Sequence, residues 1–330
     1  MIVSHKIRWG ILGTGSIAHQ FAVGLTSLAD AELAAVGSRT QQAADQFGDE
    51  FNVSKRYASY DALATDSDVD AIYISTPHPF HKDNTLLCLQ AGKAVLCEKP
   101  FAMNVREGEA MIAMAQTHGV FLMEAMWTRF LPALVTLRDL LAQNVIGEVR
   151  MLNADFGFRA NIAPEHRLLN PDLGGGALLD VGVYPVSLAS MIFGQPQRIV
   201  SLADLGSTGV DEQSAMLFGY GSGQLALLSS AIRTTTPHEA LLSGTEGHIK
   251  LHSPWWRCSR LTLSVNGKAD EQLDLAYEGN GYNYEAEEVG RCLRAGLTES
   301  AIMPHAETLS ILHTMDEIRA QWNLKYPSEL

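Results

Sequence analysis

Short apolar runs alternate with amphipathic stretches through the first half of the chain. Five runs predict buried strands because they carry little charge and end in turn-forming residues: 6–12, 32–37, 70–75, 94–97 and 119–123. The stretches between them predict helices, since apolar residues recur there at helical spacing. Strands that alternate with helices need right-handed crossovers, so this half predicts an α/β domain with a parallel sheet.

The second half of the chain carries strand patterns separated by glycine-rich turns. The predicted strands are 147–156, 198–204, 211–220, 224–232, 238–243 and 247–252. Their short connections favour antiparallel pairing. We therefore expect an α+β domain with a large, mostly antiparallel, open-faced sheet. Two closing helices, 282–294 with a charged outer face and 306–322, are predicted to be structural.

One face of the open sheet is expected to cover the substrate site, and the other to face solvent or a partner. The alternating residues Met216, Phe218 and Tyr220, with Leu225 and Leu227, favour a partner. We expect a homodimer or a larger homo-oligomer that forms through this sheet.

The first strand runs into Gly13-Thr14-Gly15-Ser16-Ile17-Ala18, a G-x-G-x-x-A motif. Gly13 permits a tight turn, Gly15 lets the backbone approach a pyrophosphate, and Ala18 lets helix and strand pack closely. The N–H groups of Ser16 and Ile17 begin a helix whose positive end attracts phosphate. The sequence therefore predicts a Rossmann dinucleotide-binding domain over 1–126 and a substrate-binding and oligomerisation domain over 127–330.

The second strand ends in Ser38-Arg39, without an Asp or Glu to bind the adenosine ribose hydroxyls. Arg39 supplies a cation instead, which favours NADP over NAD through a guanidinium–phosphate contact, with NAD still possible. A solvated Arg39, or one stacked on adenine, is the alternative.

Polar residues follow the other strands of the predicted parallel sheet, where ligands bind. Those expected at the cofactor are Thr76, Pro77, His78, His81, Glu98, Lys99, Trp127 and Arg129, and Trp127 is also expected at the substrate. A salt-bridged Glu98–Lys99 pair and core packing of Trp127 are the alternatives. His78 and His81 lack a nearby third ligand, so no metal site is predicted.

Composition narrows the function classes. The formal net charge of −13 argues against nucleic-acid binding, which needs clustered Lys and Arg. Cys88, Cys97, Cys258 and Cys292 fall at irregular spacings, which indicates free thiols in a reducing compartment. No stretch is expected to reach the apolar length of a membrane span, and the N-terminus leaves no room for a signal peptide. We expect a cytoplasmic protein without a membrane partner.

These motifs resemble those of a known family. The G-x-G-x-x-A motif, the Thr76-Pro77…His81 loop and Glu98-Lys99-Pro100 are similar to the glucose–fructose oxidoreductase and inositol dehydrogenase (Gfo/Idh/MocA) family. The run from Arg167 to Pro185, with Gly-Gly-Ala-Leu-Leu-Asp-x-Gly-x-Tyr, resembles its dimeric dihydrodiol dehydrogenases and NADP-dependent D-xylose dehydrogenases. The resemblance covers nearly the whole chain.

The resemblance implies roles for particular residues. Lys99 would contact the nicotinamide ribose and the substrate hydroxyl, and Tyr184 would be the catalytic tyrosine. Asp180 matches the motif aspartate, and Phe156 matches an aromatic residue that lines the substrate pocket. Arg167 is predicted to bind substrate. The resemblance also implies NADP as cofactor and a homodimer or larger assembly.

Hydride transfer from a carbinol carbon requires the hydroxyl to lose a proton. We expect Tyr184 to be the acid/base, Lys99 to lower its pKa, and Asp180 to orient one of them, although Lys99 as the base is an open alternative. Asp180 and Tyr184 are four residues apart and share a helix face unless Pro185 kinks the helix.

The predicted function is an NADP-dependent oxidoreductase that acts on a CH–OH group of a sugar or vicinal diol. A redox-assisted glycosidase that retains its nicotinamide is the first alternative. A non-catalytic NADP-sensing regulator is the second, although a sensor has no need of an acid/base set.

Overall fold

The computed structural model describes residues 6–329, which form two compact units. The first unit contains residues 6–130 and Glu278–Thr308, and the second contains Leu131–Tyr277 and residues 309–329. The predicted division into 1–126 and 127–330 cuts the chain once. The late segment 278–308 belongs to the first unit, because its helix Asn283–Arg294 packs against the helix Ser16–Leu25.

The elements follow in chain order. The strands are β1 (Ile7–Leu12), β2 (Ala31–Gly37), β3 (Lys55–Tyr57), β4 (Ala71–Ile74), β5 (Ala94–Glu98), β6 (Leu122–Ala125), β7 (Val149–Gly157), β8 (Arg198–Leu205), β9 (Asp211–Gly219), β10 (Leu225–Ala231), β11 (Ala240–Gly244), β12 (Gly247–Leu251), β13 (Arg260–Val265) and β14 (Glu271–Asp274). The helices are α1 (Ser16–Leu25), α2 (Gln41–Phe51), α3 (Tyr60–Ala64), α4 (His81–Gln90), α5 (Val105–His118), α6 (Pro132–Ala142), α7 (Val183–Phe193), α8 (Asn283–Arg294) and α9 (His305–Gln321).

The first unit is built on a six-stranded parallel sheet in the order β3-β2-β1-β4-β5-β6. The order reverses between β1 and β4, which is the switch point at which such sheets bind ligands. The predicted Rossmann fold is therefore confirmed. β3 was not predicted, since its three residues Lys-Arg-Tyr have no apolar pattern.

The second unit is built on an eight-stranded sheet in the order β14-β13-β12-β11-β7-β10-β9-β8. β7 and β10 pair in parallel and the other neighbours pair antiparallel, so the predicted mostly antiparallel sheet is confirmed. β13 and β14 extend it beyond the predicted strands. The edge strand β14 reads Glu-Gln-Leu-Asp, and charged residues of this kind are typical of edges rather than of buried strands.

The prediction that Met216, Phe218 and Tyr220 face a partner was wrong. Met216 and Phe218 are buried on the inner face of β9 and Tyr220 is buried directly after it, whereas Leu217 is exposed. Apolar side chains lie on both faces of this strand, so the alternation of residues alone does not identify the outer face. Leu225 and Leu227 are exposed on β10, and their contact with a partner stays a prediction.

A π-helical turn, Leu178–Gly182, precedes α7 and continues into it. Pro185 is the third residue of α7 and follows the π-helical turn closely. The segment Pro171–Phe193 has a mean hydropathy of 1.6 and the length and apolarity of a membrane span, so the prediction that no stretch reaches that length was wrong. Most of it (83%) is buried inside the protein, as in a core helix.

The predicted charged outer face of α8 is present in Glu287 and Arg291, which are exposed, but two other acids of the helix are buried. Glu285 and Glu288 are buried in the first unit, with Glu285 fully enclosed. Glu288 is compensated by Arg291 and by the Ser300 hydroxyl, which donate to it. Glu285 belongs to the candidate site.

Candidate active site

The first unit brings the predicted cofactor residues to one edge of its sheet. Gly13, Ser38, Thr76 and Lys99 follow β1, β2, β4 and β5 respectively, and Trp127 lies two residues past β6. Parallel strands end at the same edge, so these segments form a contiguous rim in the first unit.

The Gly13–Gly15 turn has the shape that a pyrophosphate requires. Gly13 has φ +105°, and a Cβ there would lie 2.9 Å from Ser75 Oγ, so the turn excludes other residues. A Cβ at Gly15 would meet nothing within 4 Å, which leaves open space over the helix end. Gly15 is the N-cap of α1 and has no side chain with which to cap the first N–H groups. These features fit a dinucleotide phosphate.

The end of β2 carries the residues expected at the adenosine ribose. Ser38 is buried and its hydroxyl lies 3.3 Å from the Thr14 hydroxyl. Arg39 is exposed. Its guanidinium is near enough to Tyr60 to act on the pKa of that phenol, which burial raises and Arg39 opposes. Arg39 thus places a cation directly after β2.

His81 ties two strand-end loops together. Its Nδ1 lies 2.9 Å from the Pro100 carbonyl and its Nε2 lies 2.8 Å from the Thr76 carbonyl, and the ring is fully buried. Burial lowers the pKa of His81, and the two carbonyl contacts oppose that shift. His78 is also buried, with its ring 5.7 Å from that of His81. His81 therefore links the loop after β4 to the loop after β5.

Glu98 contacts the main chain beside Lys99. Glu98 is buried and accepts hydrogen bonds from the Tyr73 hydroxyl and, at 3.2 Å, from the Lys99 backbone N–H. Lys99 is half-buried, and the Lys99-Pro100 peptide bond is cis. Glu98 thus holds the main chain of the segment that carries Lys99.

Trp127 and Arg129, both predicted to contact the cofactor, are buried. Trp127 stacks on Tyr282, with ring centroids 4.6 Å apart. Arg129 is buried and donates to Glu307 at 2.5 Å. Contacts of either residue with cofactor or substrate stay predictions. Both pairings use the late segment, 278–308, which the sequence did not connect with this site.

Glu124, at the end of β6, was missed by sequence reasoning. It is buried, and it accepts hydrogen bonds from the Phe101 backbone N–H at 3.2 Å and from the Thr308 hydroxyl at 3.0 Å. Burial raises its pKa to about 7, against the Thr308 hydrogen bond and the charge of Arg129. A charged residue inside the apolar strand that contains Leu122 and Met123 was the available signal. Its bond to Phe101 fixes the loop that starts at Lys99.

Glu285 is the second missed residue. It is fully buried, and neither carboxyl oxygen has a hydrogen-bond partner among the described residues. Burial and the nearby Glu98 both raise its pKa well above the usual range, which favours the neutral acid. Glu285 looked like an ordinary solvent-facing residue of α8, so its sequence gave no signal.

The second unit gathers aromatic side chains around Tyr184. The Phe156 ring lies 5.3 Å from the Tyr184 ring, and it stacks on Trp256 with ring centroids 3.3 Å apart. His238 meets both Phe156 and Trp256 edge-on. The structure therefore brings the two predicted residues Phe156 and Tyr184 together. Trp256 and His238 were not predicted, since they follow the predicted pocket strand by more than 80 residues.

Asp180 and Arg167 are also brought together. The Arg167 guanidinium donates to Asp180 at 2.8 Å, and Asp180 is buried while Arg167 is about half exposed. Asp180 lies in the π-helical turn and Tyr184 in the first turn of α7. π-Helical turns occur frequently at functional sites. Among the described residues no cluster of three or more His, Cys, Asp or Glu side chains has a metal-holding arrangement.

Comparison with known proteins covers both units. Residues 7–126 match the model of an oxidoreductase family with an NAD-binding Rossmann fold, and residues 134–250 match a GFO/IDH/MocA C-terminal domain. A trans-1,2-dihydrobenzene-1,2-diol dehydrogenase from Xenopus tropicalis is 40% identical over 332 residues, which is 97% of this chain and 99% of that protein. The human protein of the same name is 37% identical over 98% of this chain and 99% of its own.

Two solved structures share the fold over 96% of this chain. An aldose-aldose oxidoreductase from Caulobacter crescentus, complexed with glycerol, is 25% identical with a TM-score of 0.88 over 97% of that chain. A 3-ketoreductase from Actinomadura kijaniata, in complex with NADP and TDP-benzene, is 25% identical with a TM-score of 0.86 over 98% of that chain.

The raised pKa of Glu124 predicts a dependence of stability on pH. A carboxyl whose pKa rises from 4.5 to about 7 on folding contributes stability that is present at low pH and lost as pH rises toward 7. Glu124→Gln removes this dependence. From pH 4 to pH 8 the free energy of unfolding of the wild type should therefore fall by about 3 kcal/mol relative to that of Glu124→Gln, measured by urea unfolding. Parallel stability profiles for the two proteins would contradict a neutral buried Glu124.

Proposed function

The chain belongs to the GFO/IDH/MocA oxidoreductase family, and we propose that it oxidises a cyclic vicinal diol with NADP as the hydride acceptor. Its class, an NAD(P)-dependent dehydrogenase acting on CH–OH groups, is that of its relatives and confirms the prediction from sequence. The proposal adds the substrate and the preference for NADP.

The stacked pair Phe156–Trp256 beside Tyr184 carries the substrate proposal. Flat aromatic faces pack well on the carbon face of a ring, while a phenolic hydroxyl can reach an oxygen substituent of the same ring. A trans-dihydrodiol of benzene has such a ring with two adjacent hydroxyls. Relatives about 40% identical over nearly the full length carry that substrate in their name.

Residues of the first unit would hold the cofactor. The backbone at Gly13–Ile17 would bind the pyrophosphate, and Ser38 and Arg39 the ribose phosphate. Thr76, Pro77 and Lys99 follow β4 and β5, where the nicotinamide end of a dinucleotide lies in this fold. When bound, NADP supplies the hydride-accepting ring.

The chain's own residues would manage the proton. As the C–H bond of the substrate breaks, its hydroxyl loses a proton, which Tyr184 Oη would accept. A phenol ionises near pH 10, so it needs a positive neighbour, and we assign that role to the Lys99 ammonium. Asp180, held by Arg167, orients the Tyr184 helix turn. Lys99 as the proton acceptor is the alternative arrangement of the same two groups.

A sugar substrate is the second candidate. The similarity to an aldose-aldose oxidoreductase favours it, and aromatic faces also bind the C–H faces of pyranose rings. Both candidates require the same acid/base residues, so only the substrate separates them. Aldoses therefore belong in the same assay as the diols.

We propose that two copies of the chain associate through the outer face of the second sheet. Val200, Leu202, Leu217 and Leu227 are exposed there, with Leu202 78% exposed. A groove of about 650 Å³ lies on the same face and is lined mainly by apolar side chains. A patch of this kind on a sheet can pair with its own copy about a two-fold axis.

We also propose a cytoplasmic location. All four cysteines are free and buried, which suits a reducing compartment. Carbohydrate metabolism is the process we propose if aldoses prove to be the better substrates.

Turnover tests the function directly. Purified protein with NADP should generate the reduced-nicotinamide absorbance with a trans-dihydrodiol, and Tyr184→Phe should lower kcat by about 10²- to 10⁴-fold, because proton transfer by a positioned group contributes that much. Lys99→Ala should lower it similarly. Tyr220→Phe, another buried tyrosine of the second unit, is the matched control and should keep full activity.

Three other outcomes of this assay decide between the functions. Turnover with aldoses alone would replace the diol by a sugar. Tight NADP binding with no turnover on diols or aldoses would favour the sensor. Cleavage of a glycoside without net reduction of NADP would establish the glycosidase.

Arg39→Ala tests the cofactor preference. Loss of a charge-assisted contact with the ribose phosphate should raise KM for NADP by about 10- to 100-fold and leave KM for NAD within about twofold. Arg260→Ala, an exposed arginine of β13 paired with Asp274, should change neither value. An equal effect of Arg39→Ala on the KM values for NADP and NAD would contradict a contact between Arg39 and the ribose phosphate.

Leu202→Glu tests the homodimer. A charge in the centre of an apolar interface is costly, so sedimentation should report one chain for this variant and two for the wild type. Leu297→Glu, which changes an exposed leucine of the first unit, should remain a dimer. A wild type that sediments as a single chain would disprove the proposal.

A further inference from the structure

The glycine turn Gly174–Gly176 leads directly into the segment that carries Asp180 and Tyr184. Its backbone is partly closed by local bonds, from Gly175 N to the Asn170 carbonyl at 3.0 Å and from Gly176 N to the Leu168 carbonyl at 2.8 Å. The helical ladder that follows starts poorly, since the bond from Asp180 N to the Gly176 carbonyl is 3.4 Å long. The start of this segment therefore depends on other support.

Asp211 provides the first support. It lies at the start of β9, is fully buried, and its Oδ2 accepts the Leu178 backbone N–H at 2.7 Å. Leu178 is the first residue of the π-helical turn. A carboxylate that accepts an N–H at the start of a helix caps it, although here the cap comes from 33 residues further along the chain.

Gly176 shows how closely this support approaches the turn. Its φ is +114°, and a Cβ at this position would collide with Asp211 Oδ1 and lie 3.2 Å from the Tyr326 hydroxyl. Only glycine provides both the backbone conformation and the space. The main chain thus rests directly against two side chains that are remote in sequence.

Tyr326 provides the second support. Its hydroxyl donates to the Gly175 carbonyl at 2.6 Å, and the residue is fully buried. The Arg319 guanidinium lies over the Tyr326 ring, 5.3 Å from its centroid, and donates to Glu329 at 2.7 Å. Glu329 in turn accepts the Tyr326 backbone N–H at 2.9 Å. Arg319 and Glu329 therefore hold Tyr326 in place.

We propose that Asp211 and Tyr326 are positioning residues that fix the main chain from which Asp180 and Tyr184 project. The segment 324–329 is then part of the active-site scaffold, although it supplies no group that reacts. This inference rests on the proposed function for the roles of Asp180 and Tyr184. Removal of either support should let the π-helical turn open locally and misplace the Tyr184 hydroxyl.

Tyr326→Phe tests the inference because it removes one hydroxyl and keeps the ring beneath Arg319. Amide hydrogen exchange, measured on peptides that cover 175–184, should become faster in this variant, and kcat should fall about tenfold. KM for NADP should stay within about twofold, since the cofactor residues belong to the other unit. Tyr220→Phe is the matched control and should change neither exchange in 175–184 nor kcat.

Asp211 supplies a second test if Tyr326→Phe does not fold. Asp211→Asn keeps one oxygen to accept the Leu178 N–H, whereas Asp211→Ala keeps none. Exchange in 175–184 should increase, and kcat should decrease, in the order wild type, Asn, Ala. Faster exchange in a protein that turns over no diol or aldose would retain the support role and reject the proposed function. Unchanged exchange and kcat in Tyr326→Phe and both Asp211 variants would overturn the inference.

Discussion

Buried carboxylates that accept main-chain N–H groups hold both candidate catalytic segments. Glu124 binds the Phe101 N–H, two residues past Lys99, and Asp211 binds the Leu178 N–H, two residues before Asp180. Both carboxyls have a pKa raised to about 7 by burial, so each is costly to ionise where it lies. Such enclosed bonds hold a loop that carries a reacting group, because water cannot replace them without entering the protein interior.

The sequence could predict the parts of this site that depend on local rules. The Gly13–Gly15 turn, Arg39 after β2 and Lys99 after β5 each follow from residue type and position on a strand. The same holds for the parallel order of the first sheet, since strands and helices alternate there. The roles of Phe156 and Tyr184 came from the resemblance to a family, and their ring contact is seen only in the structure.

The rest depends on contacts between distant residues, which no local pattern contains. Glu124 is supported by Thr308 and Asp211 supports Leu178, and neither pair is marked by spacing. The sequence could not identify the outer face of β9, because Met216 and Leu217 are both apolar. Their burial depends on which elements pack against each face of the sheet. Glu285 is the extreme case, a charged residue type at a position that water does not reach.

The late segment Glu278–Thr308 has a consequence for synthesis on the ribosome. Trp127, Arg129 and Glu124 emerge long before their partners Tyr282, Glu307 and Thr308, with 178 residues between Arg129 and Glu307. At ordinary translation rates that interval lasts about 10 to 40 seconds. During this interval Arg129 and Glu124 of the nascent Rossmann sheet lack their partners Glu307 and Thr308. A chaperone that shields these two side chains would therefore bind the chain while it is still being synthesised.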